Sequence, residues 1–363
     1  MGLSVGIVGL PNVGKSTTFN ALTKTQKAQA ANYPFCTIEP NRAIIQVPDS
    51  RIDELAKIVN PKKIQFSTIE FVDIAGLVRG ASKGEGLGNQ FLANIKEVDA
   101  ILHIVRCFED SNITHIEREI NPINDIEIIE LELLFSDLQT LEKRIDRLNR
   151  SAKASKDSAK ILSCAMTLKE HLEQNKPVKT FKNKDSDEFR NLDKELRFLS
   201  NKEVIYCANV SEDFESKYLD SLIQYASKNN SKVIVICAKL EEEMIDMSDE
   251  EKKEFLLSIG VEKSGLEQII KTSFETLNLI SYFTAGVKEV RSWTINKGTK
   301  APKAAAIIHN DFEKGFIRAE TISYTDFIKY NGELGAKEAG AMRSEGKDYI
   351  VQDGDILHFR FNV

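Results

Sequence analysis

Short, unbroken apolar runs recur through the first two thirds of the chain, at residues 4–8, 69–73, 100–105, 204–208 and 233–236. Runs of this length without polar alternation fit strands buried on both faces of a parallel sheet. Between the third and fourth runs the period changes. Leu131, Leu134, Leu138, Leu141, Ile145 and Leu148 recur every three or four residues, with Glu142, Lys143, Arg144, Asp146 and Arg147 between them, as in a coiled-coil seam. Leu162, Ala165, Leu168 and Leu172, then Leu192, Leu196 and Leu199, predict returning helices inserted into the sheet domain. Such a hairpin is either a lever that docks a large partner or a solvated helix pair with a sealed seam. After Leu279 short alternating runs take over, at 280–284, 304–309 and 356–361, with Asn331-Gly332 and Asp353-Gly354 as turn signals. They predict a small mixed module of about 85 residues.

Composition sharpens this division. None of the 19 glycines falls between Gly88 and Gly260, so the glycine-poor middle contains the helical insertion. Lys and Arg total 49 against 55 Asp and Glu, a net charge of −6, which excludes an overall basic surface. Five widely spaced cysteines without a C-x-x-C pair read as reduced thiols rather than a disulfide framework or zinc site. The N-terminal residues lack the basic region of a secretory signal and no apolar run approaches membrane-spanning length, so the chain reads as cytoplasmic, with no membrane partner.

The chemistry begins where the first apolar run ends. Residues 9–16, G-L-P-N-V-G-K-S, satisfy G-x-x-x-x-G-K-[ST] between a strand and a helix. Small residues let successive main-chain N–H groups turn toward phosphate oxygens, and the helix N-terminus adds its positive dipole end. Asn12, Val13, Gly14, Lys15, Ser16 and Thr17 therefore form the expected phosphate cradle, with Lys15 on the β/γ-phosphates and Ser16 on Mg²⁺. Asp73 closes the second run and begins D-x-x-G; it is placed to hold the metal through water, while the Gly76 amide contacts the γ-phosphate. Five glycines between Gly76 and Gly88 suit a mobile switch loop. Thr37, between Pro34 and Pro40, is the candidate second Mg²⁺ ligand, with a solvated turn as its alternative. Leu77 stands where related enzymes carry a water-orienting Gln, so the attacking water must be held by another group, for which His115 is a candidate. Lys15, Gly76 and His115 are the expected catalytic set. Asn12 could also hold a monovalent cation such as K⁺ against the phosphates.

Two strand-end loops are placed to read a base. Asn209-Val210-Ser211-Glu212 stands where guanine-specific proteins carry N-K-x-D, and Cys237-Ala238-Lys239 has the shape of an S-A-K loop. A carboxylate there accepts the N1–H and N2–H₂ donors of guanine, and replacing Asp by Glu212 and Lys by Val210 argues against strict guanine recognition. Asn209, Val210, Glu212 and Ala238 are the expected base contacts. In the tail, Lys297, Lys300, Lys303, Lys314, Arg318 and Lys329, interleaved with Trp293, Phe312, Phe316 and Tyr324, form either a local RNA-facing patch or a mixed solvated surface.

Taken together, G-L-P-N-V-G-K-S-T, N-Y-P-F-C-T-I-E-P-N, D-I-A-G-L-V-R-G-A-S-K-G-E-G-L-G-N and the closing D-Y-I-V-Q-D-G-D-I-L-H-F-R-F-N-V resemble the YchF/Obg-like ATPase family from end to end. The resemblance implies an α/β chain: a Ras-like P-loop NTPase domain over 1–124 and 201–278, a coiled-coil insertion over 125–200 and a β-grasp TGS domain over 279–363. It further implies ATP hydrolysis favoured over GTP with Mg²⁺ on Ser16 and Thr37. Partners implied are ribosomes, in particular the large subunit, and RNA, in a monomer acting in translation and stress responses. A GTP-dependent switch and a non-hydrolysing, nucleotide-gated ribosome- or RNA-binding module are the alternatives.

Overall fold

The computed structural model describes residues 3–30, 41–74, 87–110, 120–151 and 156–362. Its strands are β1 (Ser4–Val8), β2 (Arg42–Gln46), β3 (Ile64–Gln65), β4 (Thr68–Asp73), β5 (Ala100–Arg106) and β6 (Glu203–Asn209). They continue with β7 (Lys232–Ile236), β8 (Leu279–Ala285), β9 (Val290–Asn296), β10 (Phe316–Ile322), β11 (Arg343–Glu345) and β12 (Ile356–Phe361). The chain divides into two compact units, one of Leu3–Ala43 with Glu70–Ile269, the other of Ile44–Ile69 with Ile270–Val363.

One sheet runs β2-β4-β1-β5-β6-β7. Its five apolar strands are the runs read from the sequence, and β1 and β5 are buried at every position, as strands covered on both faces must be. Strand β2 is an addition. Its Arg42-Ala43-Ile44-Ile45-Gln46 alternates buried and half-buried positions, the mark of an edge strand, and is too polar to read as an apolar run. Parallel registers pair Ile7 with Asp73, Val8 with His103, Arg106 with Asn209 and Asn209 with Ile236. The ends of β1, β4, β5, β6 and β7 therefore open on the same edge, where parallel sheets place their ligands.

The insertion comprises helices Pro122–Ser151, Lys156–Glu173 and Asp187–Leu196, starting slightly before the expected residue 125. Leu134, Leu141, Ile145 and Leu148 pack against Ala165, Leu168 and Leu172, and Phe181, Phe189 and Phe198 close the core. Leu131, expected in the seam, is instead 39% exposed. Two polar contacts fix the base of the hairpin. Asp137, on the long first helix, accepts the N–H groups of Leu199 and Ser200, both at 2.8 Å, and the Ser200 hydroxyl at 2.6 Å. Glu130 accepts the hydroxyls of Tyr206 on β6 (2.6 Å) and Tyr225 (3.0 Å).

In the second unit the sheet order is β11-β10-β12-β8-β9-β3. Here two expectations are corrected. Residues 304–309, read as an alternating run, lie in the helix Ala301–Ile308 and its C-cap; Pro302 sits in its first turn, and Ala301, Ala304 and Ala305 bury one face at helical spacing. The segment between β2 and β4, set within 1–124 by the sequence reading, groups with this unit. Its helix Ser50–Val59, capped by Asp49, buries Ile52 and Leu55 with Phe283, Val290 and Phe327, and β3 pairs in parallel with β9. An amphipathic helix requires an apolar face to pack on, and its sequence does not say which. Among the described residues no helix is long and apolar enough to cross a membrane.

Candidate functional site

At the open edge of the first sheet, β1 delivers the glycine loop to the helix Lys15–Ala30. Gly14 has φ +99°, and a Cβ there would collide with the Asn209 side-chain amide. Glycine is therefore required for both its conformation and its lack of bulk. Asn12 also adopts a left-handed φ of 63°. The Lys15 ammonium donates to the Leu10 carbonyl at 2.8 Å. Burial holds its pKa below the usual lysine value, and the negative charge of Asp73 opposes that shift. Asp73, at the end of β4, is half-buried, and burial raises its pKa while Lys15 restrains the rise. Ser16 is exposed in the first helical turn. A hydroxyl and a carboxylate are hard oxygen donors that suit Mg²⁺ completed by phosphate and water. Among the described residues, no cluster of three or more His, Cys, Asp or Glu could hold a metal without such help.

Asn209 joins the two halves of this site. Its buried amide donates to the Val13 carbonyl (2.9 Å) and accepts from the Ala238 N–H (3.0 Å), tying the phosphate loop to the loop after β7. Around it lies a cavity of about 660 Å³ lined by Asn12, Gly14 and Thr17, by residues 108–110 and 209–213, and by Cys237, Ala238 and Lys239. Of the expected phosphate residues, Asn12, Gly14 and Thr17 border this space together with all four expected base residues, while Val13, Lys15 and Ser16 do not line it; it is large enough for a nucleoside. Val210 also borders it, although its side chain is buried among Val105, Cys107 and Ile126. At the mouth, Glu212 pairs with Lys239 at 2.5 Å.

Sequence reasoning missed the third wall. Arg106, 1% exposed at the end of β5, donates to the carbonyls of Phe108 and Asp110, both at 3.2 Å, and its guanidinium lies 4.6 Å from the Phe108 ring centre. It shapes the loop that brings Phe108 to the cavity. An arginine ending an otherwise apolar strand was the available signal. His103, on the same strand, is fully buried; desolvation, reinforced by the Lys15 charge, lowers its pKa to about 3 and keeps the ring neutral. Thr37, Gly76, Leu77 and His115 lie outside the described residues.

In the second unit, Lys300 pairs with Asp348, Lys303 with Glu313 and Arg318 with Glu320, while Phe316 is buried in the core. Half of the basic residues considered for an RNA-facing patch are therefore matched by acids.

Comparison with known proteins agrees with this geometry. A family model described as a 50S ribosome-binding GTPase matches residues 4–135, and the YchF-GTPase_C model, described as a protein of unknown function, matches residues 279–362. The ribosome-binding ATPase YchF of Haemophilus influenzae is 55% identical over 366 residues, and that of Bacillus subtilis 52% identical over 369, each alignment covering 100% of both chains. The solved structure of the Schizosaccharomyces pombe YchF GTPase superimposes with a TM-score of 0.89 at 39% identity, covering 99% of this chain and 97% of that one.

Proposed function

Since this chain belongs to the YchF family, we propose that it is a ribosome-binding ATPase that hydrolyses ATP, in preference to GTP, to ADP and phosphate. ATP occupancy would signal to the ribosome, with the large subunit as the docking surface, RNA as part of the contact and the cytoplasm as its setting. The chain would act as a monomer. The observation that carries this reading is the single cavity in which Asn209 ties the phosphate loop to an altered base-reading loop.

The part proposed for each residue rests on the motif it occupies in the sequence. The main-chain N–H groups of 12–17 and the helix dipole bind the phosphates, and Lys15 reaches the β/γ-phosphates. Ser16 and Thr37 would hold Mg²⁺ directly and Asp73 through water; the metal, when bound, neutralises charge on the phosphate oxygens. Gly76 would sense the γ-phosphate. Without a Gln at position 77, orienting the water falls to His115 or a main-chain group, consistent with slow intrinsic turnover. A monovalent ion beside Asn12 would add positive charge at the phosphates.

Competition between ATP and GTP on the purified protein tests the base preference, with Lys15→Ala weakening both by about a hundredfold or more as the control. Equal affinities, or tighter GTP, would sink the ATP reading. That outcome would favour the GTP-dependent alternative, for which the GTPase name of the yeast relative speaks. Single-turnover phosphate release, with and without ribosomes and with K⁺ varied, separates an ATPase from a non-hydrolysing binder.

A further inference from the structure

Charge is segregated along the helical insertion. Its first helix, Pro122–Ser151, carries six acids and no lysine or arginine from 122 to 142. Its last turns and the first turns of Lys156–Glu173 reverse the sign. Residues 143–151 and 156–160 hold six basic residues against two acids, in a chain of net charge −6. Arg144 pairs with Glu195 at 2.9 Å. Lys143, Arg147, Arg150, Lys156 and Lys160 are exposed, and none has an acid at ion-pair distance among the described residues. Helix dipoles account for only part of this. Arg150 suits the C-terminus of the first helix, but Lys156 and Lys160 stand at the N-terminus of the second, where cations are disfavoured. The support beneath them is stiff: Leu141, Ile145 and Leu148 are buried against Ala165, Leu168 and Leu172, and about 20 Å of helix separates Arg150 from the clamp at Asp137.

We propose that this basic tip docks on double-helical ribosomal RNA, its five exposed cations lying on phosphates. The proposal rests on the ribosome-binding reading above and names the surface that makes the contact, so the insertion is a docking lever rather than a solvated pair. What the tip lacks points the same way. The exposed large apolar side chains of the insertion, Leu131, Phe135 and Met166, lie outside it, so it offers a protein partner no apolar anchor. Nor do these residues include an aromatic ring on which the bases of a single strand could stack. Helical RNA is bound through its phosphates and shape, which exposed cations on a rigid rod can meet. The acidic remainder of the chain repels the same phosphates and favours approach by the tip.

The test measures binding of the full-length protein to ribosomes and to an RNA duplex of about 20 base pairs, from low to high salt. Arg147→Ala, Arg150→Ala, Lys156→Ala and Lys160→Ala combined should weaken both about tenfold or more and flatten the salt dependence by about one unit of slope per lost contact. The Lys156→Ala and Lys160→Ala pair, expected to lose about threefold or more, carries the test if the fourfold variant unfolds. Nucleotide affinity should not change, because none of the four residues lines the nucleoside cavity. Lys228→Ala with Lys263→Ala, exposed lysines elsewhere in the same unit, is the control and should bind as wild type. Unchanged affinity and slope in the tip variants overturn the proposal, as does an equal loss in the control. Loss on ribosomes without loss on the duplex places the contact on a ribosomal protein and also overturns it. If wild type binds ribosomes and only the tip variants fail to differ, the ribosome-binding reading stands without this surface. If wild type binds no ribosomes, that reading fails first and the proposal falls with it.

Discussion

Asn209 bonds two loops at the open edge of the first sheet through one side chain. It is 5% exposed, and its amide uses one donor on Val13 and its acceptor on Ala238. Removing it strands a buried carbonyl and a buried N–H, each a desolvation cost that no new contact offsets. Asn209→Ala should lower stability by about 1–3 kcal/mol in denaturant titration and weaken nucleotide binding. Asn209→Asp should do worse, because its ionised oxygen faces the Val13 carbonyl without a donor. Normal binding in either variant would show that the phosphate and base loops do not depend on this bridge.

The helical insertion depends on its polar base as well as its apolar seam. Asp137 is buried with three donors around its carboxylate, yet desolvation outweighs them and raises its pKa to about 6. Because the folded value lies above the unfolded one, the protonated form stabilises the fold. That contribution is complete below about pH 4 and is lost as pH rises through about 6. Asp137→Asn resembles the protonated acid across the range. The stability of wild type relative to this variant should therefore fall by on the order of 2–3 kcal/mol between pH 4 and pH 7. Thermal unfolding at stepped pH checks it; a constant difference would mean that Asp137 does not titrate in this window. The seam itself was legible from leucine spacing, but Asp137 was not. A lone acid within a charged helix looks solvated until the return of the chain at Leu199–Asn201 covers it.

At the scale of the molecule, the second unit is discontinuous in sequence. Ile52 and Leu55, both 0% exposed, complete a core with Phe283, Val290, Ile322 and Phe327, and Arg51 bonds Asp353 at 2.8 Å. A fragment limited to 270–363 lacks this cover and should be unstable or aggregate, whereas the whole chain keeps it. In the intact protein Leu55→Ala should cost about 2–5 kcal/mol, read as faster amide exchange in β8 and β9. Unchanged exchange there would show that residues 50–59 pack on this sheet without supporting it.

The glycine loop between β1 and its helix, the end of β4 at Asp73, the strand ends at Asn209 and Ile236 and the helical insertion were all readable as elements along the chain, because each is local: a few residues at fixed spacing set its conformation. What only the tertiary structure decided depends on partners distant in sequence. Arg106 turning Phe108 into the cavity wall, Lys239 closing on Glu212 and Asp137 capping a turn 62 residues away each need chain segments that only folding brings together. The same holds for the segment between β2 and β4. Its helix carries an apolar face whose need for burial is written in the sequence, but the surface that meets it is chosen by the packing of the whole.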